Sequence, residues 1–231
     1  MQEIKLPSLH SDFSVDCVIF GFDEGELKIL LIERNEAPFE QWKALPGNLA
    51  NDDEDIDDAA ARVLYELSGL ENIYMDQFRT FGNINRHPQG RVITVAYYAI
   101  IQATEAGLHP VTNYASKAFW WPAHKLPELA FDHNIIAEKA IEALRNKIVR
   151  EPIGFELLPK EFTLTSLHHL YEEVLQKEID KRNFRKKMMS FGIITDLKKK
   201  QVGVPHRAPW LYAWNHNKYE ELKQKGFVFE I

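Results

Sequence analysis

Glu54, Arg62 and Glu66 stand first among the residues that could do chemistry, inside the stretch LPGNLANDDEDIDDAAARVLYELSGL at 45–70. Carboxylates offer hard oxygen ligands to Mg²⁺, and a cluster of such ions activates water against a phosphoanhydride. Arg62 and Glu66 are four residues apart, the spacing of an ion pair on one helical face that orders the preceding loop. The acids Asp52, Asp53, Glu54, Asp55, Asp57 and Asp58 lack the central Gly and terminal Glu of a calcium loop. Acid at a helix start answers to the helix dipole instead.

A second set lies far downstream, in DKRNFRKKMMSFG at 180–192. Phe184, Met188 and Phe191 recur at i, i+4 and i+7 and point inward, leaving Arg182, Arg185, Lys186 and Met189 on the opposite side. A helix divided in this way can enter a DNA major groove, with Lys181 beside it and Asn183 able to reach a base or phosphate. Thr163 and Thr165 open the helix before it, and Lys199, Lys200, His206 and Arg207 fall in a loop placed as a basic wing.

The elements that must position these groups divide by charge. Residues 1–150 hold 14 Lys+Arg against 23 Asp+Glu, whereas residues 151–231 hold 14 against 11. Between Lys177 and Arg207 ten basic residues face three acidic ones, so an acidic body carries a basic patch. A hydrophobic fraction of 45% with 27% charged residues excludes a disordered chain. No apolar run approaches the ~20 residues of a membrane helix, and the opening MQEIKLPSLHSDF lacks the regions of a signal peptide. The single cysteine, Cys17, sits in an apolar run as a buried inert thiol. These features predict a cytoplasmic protein without membrane contact.

Hydrophobic periodicity places a β-hairpin at 13–22 and 27–33, a loop at 46–53, and a helix capped by Asp55 or Asp57 that reaches Ser68 and stops at Gly69. Strands follow at 76–84, 91–101 and 117–121, then a helix at 134–150, which together suggest an α+β sandwich layered helix, sheet, helix. Residues 151–154 read as a linker between domains 1–150 and 151–231. Beyond it come a helix starting at Thr163 or Thr165, with Leu167, Leu170, Tyr171, Val174 and Leu175 apolar, and the basic helix capped by Asp180 and ended by Gly192. Short strands at 193–195 and 209–214 hold the loop 196–207, the ribbon that ends a winged helix.

The stretch 45–70 resembles the Nudix box: Gly, five residues, Glu, seven residues, then Arg-Glu-aliphatic-X-Glu-Glu-X-Gly-aliphatic. With Gly69 and Leu70 at its end, the first Gly of the box falls on Asn48, its first Glu on Glu54 and its Arg on Arg62. The three later glutamates of the family share one helical face and gather divalent cations over a pyrophosphate. Here they fall on Val63, Glu66 and Leu67, and one carboxylate, even with Glu54, is too few. The expectation is therefore no catalytic residue, no metal and no cofactor, Mg²⁺ at Glu66 included.

The segments FTLTSLHHLYE and DKRNFRKK, with WWP and LAFDH, resemble the Nudix-related transcriptional regulators, NrtR and its arabinose-responsive relatives, over about residues 13–214. The resemblance implies a Nudix α/β/α sandwich followed by a winged helix-turn-helix domain. It also implies a homodimer on a palindromic double-stranded DNA operator, and a small-molecule effector, ADP-ribose or a pentose, held in the Nudix pocket. Arg34, Asn83, Asn85, Arg86, Trp121, Asp132 and His133 are the residues expected to line that pocket beside the box helix, arginines for phosphate or vicinal oxygens and the aromatic for stacking. The function so implied is a transcriptional repressor; the alternative is a Nudix hydrolase resembling ADP-ribose pyrophosphatase with an accessory C-terminal domain.

Overall fold

The computed structural model describes residues 12–68, 73–103, 114–203 and 208–231, the side chains of 67 and 68 excepted. Strands β1 (Asp12–Asp23) and β2 (Glu26–Arg34) form the expected hairpin. Its two-residue turn places Glu24 at φ 50° and Gly25 at φ 82°, a mirror-image turn whose twist matches that of the strands. Strands β3 (Lys43–Ala44), β5 (Tyr74–Phe81), β6 (Val92–Ile100) and β7 (Ala115–Pro122) extend the sheet in the order β3-β2-β1-β6-β5, with β7 on β2. β1 runs parallel to β6 and lies at the centre of the sheet, with one face in each of the two apolar cores. Val15, Cys17 and Ile19 meet helix α1 (Ile56–Ser68); Val18 and Phe20 meet helix α2 (His133–Ile148). Burial of this kind contributes about 1.5–3 kcal/mol for each large aliphatic side chain. The Cys17 thiol is fully buried, which pushes its pKa up and keeps it inert.

Residues 46–53 are not all loop: strand β4 (Gly47–Leu49) pairs with Ser14–Asp16 of β1. Gly47 is required there, because a Cβ would stand 2.2 Å from Asp16 Oδ1. Gly69, the expected stop of α1, lies outside the described residues, as does the Leu67 side chain.

The expected linker also takes another form. Pro152–Leu157 make a 3₁₀ turn in which Ile153, Phe155 and Leu157 are buried, because the Pro and Gly that read as linker are interleaved with large apolar residues. One apolar core consequently runs from β1 and α2 into helix α3 (Leu164–Leu175) and helix α4 (Lys181–Ser190). Polar contacts reinforce the join: Arg145 Nε donates to Val174 O at 2.9 Å, and His124 Nε2 lies 3.1 Å from Glu173 O.

α4 is capped by Asp180, whose carboxylate accepts from Asn183 N at 2.7 Å, and buries Phe184 and Met188 as the spacing requires. Strands β8 (Ile194–Lys200) and β9 (Trp210–Trp214) form the ribbon, and an isolated bridge between Phe162 and Tyr212 ties it to the start of α3. β8 is longer than expected: beyond a bulge after Asp196 the ladder resumes at Lys200 and Trp210. Lys199 and Lys200 therefore stand on a strand, not in the loop. A further helix, α5 (His216–Gln224), was not foreseen. Among the described residues no helix is long and apolar enough to cross a membrane.

Candidate functional site

The box carboxylates converge on Arg62. Its Nε and Nη2 donate to the two oxygens of Glu54 at 3.0 and 2.6 Å, a bidentate, charge-assisted pair. Nη1 donates to Glu66 Oε1 at 3.3 Å and Nη2 also to Leu49 O at 3.1 Å. This guanidinium holds the Glu54 carboxyl down at about 2. The expected Arg62–Glu66 pair is present, with Glu54 the tighter partner. Tyr114 Oη donates to the other Glu66 oxygen at 3.3 Å, and Val63 is fully buried against the sheet. Among the described residues, no three His, Cys, Asp or Glu side chains are placed to hold a metal ion.

A cleft of about 240 Å³ opens instead between β1, β4, the turn at 34–38, the loop at 86–90 and residues 131–133. It borders the box through Gly47, Asn48 and Leu49 and through Tyr114, which donates to Glu66, although Glu54, Arg62 and Glu66 do not line it themselves. Strand alternation turns Asp12, Ser14 and Asp16 of β1 to the same side, away from α1. Phe131, at φ 56°, forms an aromatic wall: the His87 ring stacks on it at 5.1 Å, and the Arg34 guanidinium sits 5.0 Å from its centroid. Arg34 Nε donates to Pro38 O at 2.9 Å, which fixes the adjoining turn. Burial, with Arg86 and Arg34 nearby, lowers the pKa of His87, so its ring is neutral near pH 7.

The inner wall is a buried polar network. Arg86 donates through Nε and Nη2 to Asp132 at 3.1 and 2.9 Å and through Nη2 to Asp16 Oδ2 at 3.0 Å, with 4% of its side chain exposed. His133 Nδ1 accepts from Leu45 N at 2.9 Å. A backbone N–H only donates, so the ring proton sits on Nε2, 3.3 Å from Asp16 Oδ1. Burial pushes the Asp16 pKa up, but His133 and Arg86 outweigh it and hold the carboxyl down, from an ordinary 3.8 to about 2. A depressed carboxyl pKa stabilises the fold fully above 3.8, and that contribution is lost as pH falls toward 2. Asp16→Asn is therefore expected to lower the thermal midpoint at neutral pH and to flatten the acid limb between these values, which thermal melts at a series of pH values will register.

Of the nominated pocket residues, Arg34, Arg86 and His133 line the cleft, and Asp132 pins Arg86 rather than capping α2. Asn83 and Asn85 do not reach it. They are exposed and shape the turn, Asn83 Oδ1 accepting from Asn85 N at 2.9 Å and Asn83 O from Arg86 N at 3.2 Å. Trp121 is also off the cleft: it pairs with Ile29, packs on the α2 face of the sheet and donates from Nε1 to Lys125 O at 2.7 Å. Sequence reasoning missed Asp16, Ser14, His87 and Phe131. The signal for Asp16 was a lone charge inside the apolar run VDCVIF.

On the second domain, Lys181, Arg182, Asn183, Arg185 and Lys186 project from the exposed side of α4. None of these cations forms an ion pair among the described residues, so the helix presents an uncompensated positive face. Thr165 is exposed and shares a shallow cleft with Arg185, Lys200 and Trp210. Thr163 has a different role from the one expected. It is buried as the N-cap of α3, its hydroxyl accepting from Ser166 N at 2.9 Å in a capping box. Lys199 is paired with Glu161, and Lys200 lies 5.1 Å over the Trp210 ring. His206 and Arg207 lie outside the described residues.

Comparison with known proteins assigns both halves. Residues 10–144 match the NUDIX domain, and residues 154–214 match the NrtR DNA-binding winged helix domain. The chain is 32% identical over 194 residues to the ADPR responsive transcriptional repressor NtrR of Acinetobacter baylyi, covering 82% of this chain and 76% of that protein. Its structure superposes on Shewanella oneidensis NrtR complexed with a 27mer DNA with a TM-score of 0.78 at 29% identity, over 94% of this chain and 97% of that one. The NUDIX domain of the same protein complexed with ADP ribose aligns at 31% identity with a TM-score of 0.54, over 59% of this chain and 90% of that one. A NUDIX domain joined to this winged helix, with likeness along nearly the whole length, makes the chain a member of the NrtR family of transcriptional regulators.

Proposed function

We propose that this protein is a cytoplasmic, dimeric repressor that binds an operator through α4 and the ribbon, and that a sugar or sugar nucleotide in the cleft changes its affinity for DNA. One observation carries the reading: the carboxylates left in the box are engaged by Arg62, while a separate buried polar network and an uncompensated basic helix stand ready to recognise ligand and DNA. Asp12, Asp16 and Glu36 bring carboxylates to the cleft, Asp16 held by Arg86 and Glu36 lying 4.0 Å from Arg34, so the wall offers acceptors for the hydroxyls of a sugar ring. The named relatives, one responsive to ADPR and one crystallised with ADP ribose, favour a ribose-bearing ligand. Two half-sites one DNA turn apart, about 34–36 Å, require two copies of α4 held in a fixed relation.

Titration calorimetry with ADP-ribose, NAD and several pentoses tests the ligand class. One of them is expected to bind saturably and to lose at least on the order of tenfold in affinity in Arg34→Ala, whose guanidinium flanks Phe131; binding by none overturns the reading. The hydrolase alternative predicts Mg²⁺-dependent release of AMP. With the box carboxylates paired to Arg62, AMP release from ADP-ribose is expected to stay at background in the chain and in Glu66→Gln alike.

A further inference from the structure

Residues 216–231 lie beyond the segment matched by the winged helix family, yet they connect its recognition helix to the other domain. α5 is seated by aromatic packing: Trp214 stacks on Phe155 at 4.4 Å and Tyr219 leans on Trp214 at 5.4 Å. At Gly226, φ 83°, the chain turns back. Phe227 and Phe229 then pack on Phe191, the residue that closes α4, with centroids 5.5 and 4.9 Å away, and Phe229 is 3% exposed. Two residues further, Ile231 N donates to Val149 O at 3.0 Å, and Val149 closes α2.

The other end of α2 is the cleft. Its first residue, His133, faces Asp16, and Asp132 before it holds Arg86. A 16-residue helix spans about 24 Å, so α2 is a rigid rod from the cleft to the segment that grips the end of α4. The front half of α4 is held differently, by α3, where Phe184 packs on His168 and Tyr171, each at 5.2 Å.

We infer that residues 227–231 are a positioning element: they fix the C-terminal end of the recognition helix to α2 and so make operator affinity sensitive to occupancy of the cleft. This rests on the effector-controlled reading above. Coupling between two sites needs an element that both of them bias, and this segment touches both the end of α2 and the end of α4.

Phe229→Ala in the full chain is the test. Ligand affinity in the cleft is expected to stay within about twofold, while the ligand-induced change in operator affinity falls from the ~5–150-fold usual for allosteric coupling to below ~2-fold. Phe229→Leu, which refills the space, is expected to restore most of it. Hydrogen exchange provides a readout that needs no ligand: amides 187–191 are expected to exchange on the order of tenfold faster in Phe229→Ala, with those of α3 little changed. Unchanged exchange at 187–191 overturns the inference, as does faster exchange with full ligand response. Should the unmodified chain respond to no ligand, the effector reading fails and the exchange result alone decides whether this segment positions α4.

Discussion

An Arg182→Ala, Arg185→Ala double variant will bind operator DNA about 2–6 kcal/mol more weakly than its parent, at about 1–3 kcal/mol for each arginine that reaches a base edge. Both side chains are exposed and form no ion pair among the described residues, so their removal leaves α4 itself intact. Stability is expected to change by less than about 0.5 kcal/mol for each surface substitution. The loss should also depend on salt. Each phosphate contact removed lowers the slope of log affinity against log salt by about one, whereas loss of a base contact weakens binding without changing that slope. Fluorescence anisotropy at several salt concentrations separates the two, and an unchanged affinity would mean that DNA lies elsewhere on the domain.

The second large effect is expected at Arg86. Arg86→Ala removes the cation that serves Asp16 and Asp132 and leaves the buried Asp16 carboxylate without its guanidinium partner. Breaking a buried ion pair from one side costs about 3–5 kcal/mol, a large part of the ~5–15 kcal/mol that holds a typical domain together. Arg86→Lys is expected to rescue little, because an ammonium cannot span the two carboxylates with the fixed fork that Arg86 uses. Without Arg86, burial acts on Asp16 with less opposition and its pKa rises, so the stability that acid strips from the parent between about 3.8 and 2 is already missing and the variant's acid limb is flatter. Urea unfolding at pH 7 and at about pH 3, inside the window set by the Asp16 shift, measures both effects, and ligand affinity is expected to fall with them because Asp16 and His133 lose their fixed orientation.

The parts of this molecule that were legible in the sequence follow strong local rules. Runs rich in Val, Ile, Leu and Phe on either side of the turn at 23–26 announced a buried hairpin, and the i, i+4, i+7 row of Phe184, Met188 and Phe191 announced the inner face of α4. The spacing of Arg62 and Glu66 predicted their contact, though not that Glu54 would take both remaining arms of the guanidinium. What escaped depends on tertiary placement. Trp121 and its neighbour Trp120 alternate across a strand, and the parity that turns Trp121 toward α2 cannot be fixed until β7 is paired with β2. Thr163 and Thr165 look equally suited to DNA, but only one can be the N-cap, and the capping box formed with Ser166 selects Thr163. Residues 151–154 read as a linker because Pro and Gly are strong turn formers; Ile153 within them and Phe155 just after made the stretch part of the core. Asp16 was hidden by its own context, since its partners Arg86 and His133 are 70 and 117 residues away.

The central claim is that one ligand in the cleft changes the grip of α4 on DNA. It is tested most directly by titrating the protein into a labelled palindromic duplex from upstream of its own or neighbouring genes, with and without the ligand selected by calorimetry, across a salt series. The account predicts a salt-sensitive preference for that duplex over random DNA and a ligand-induced change in affinity of about fivefold or more. Equal affinity for operator and random DNA, or an operator affinity indifferent to a ligand that demonstrably fills the cleft, would contradict it.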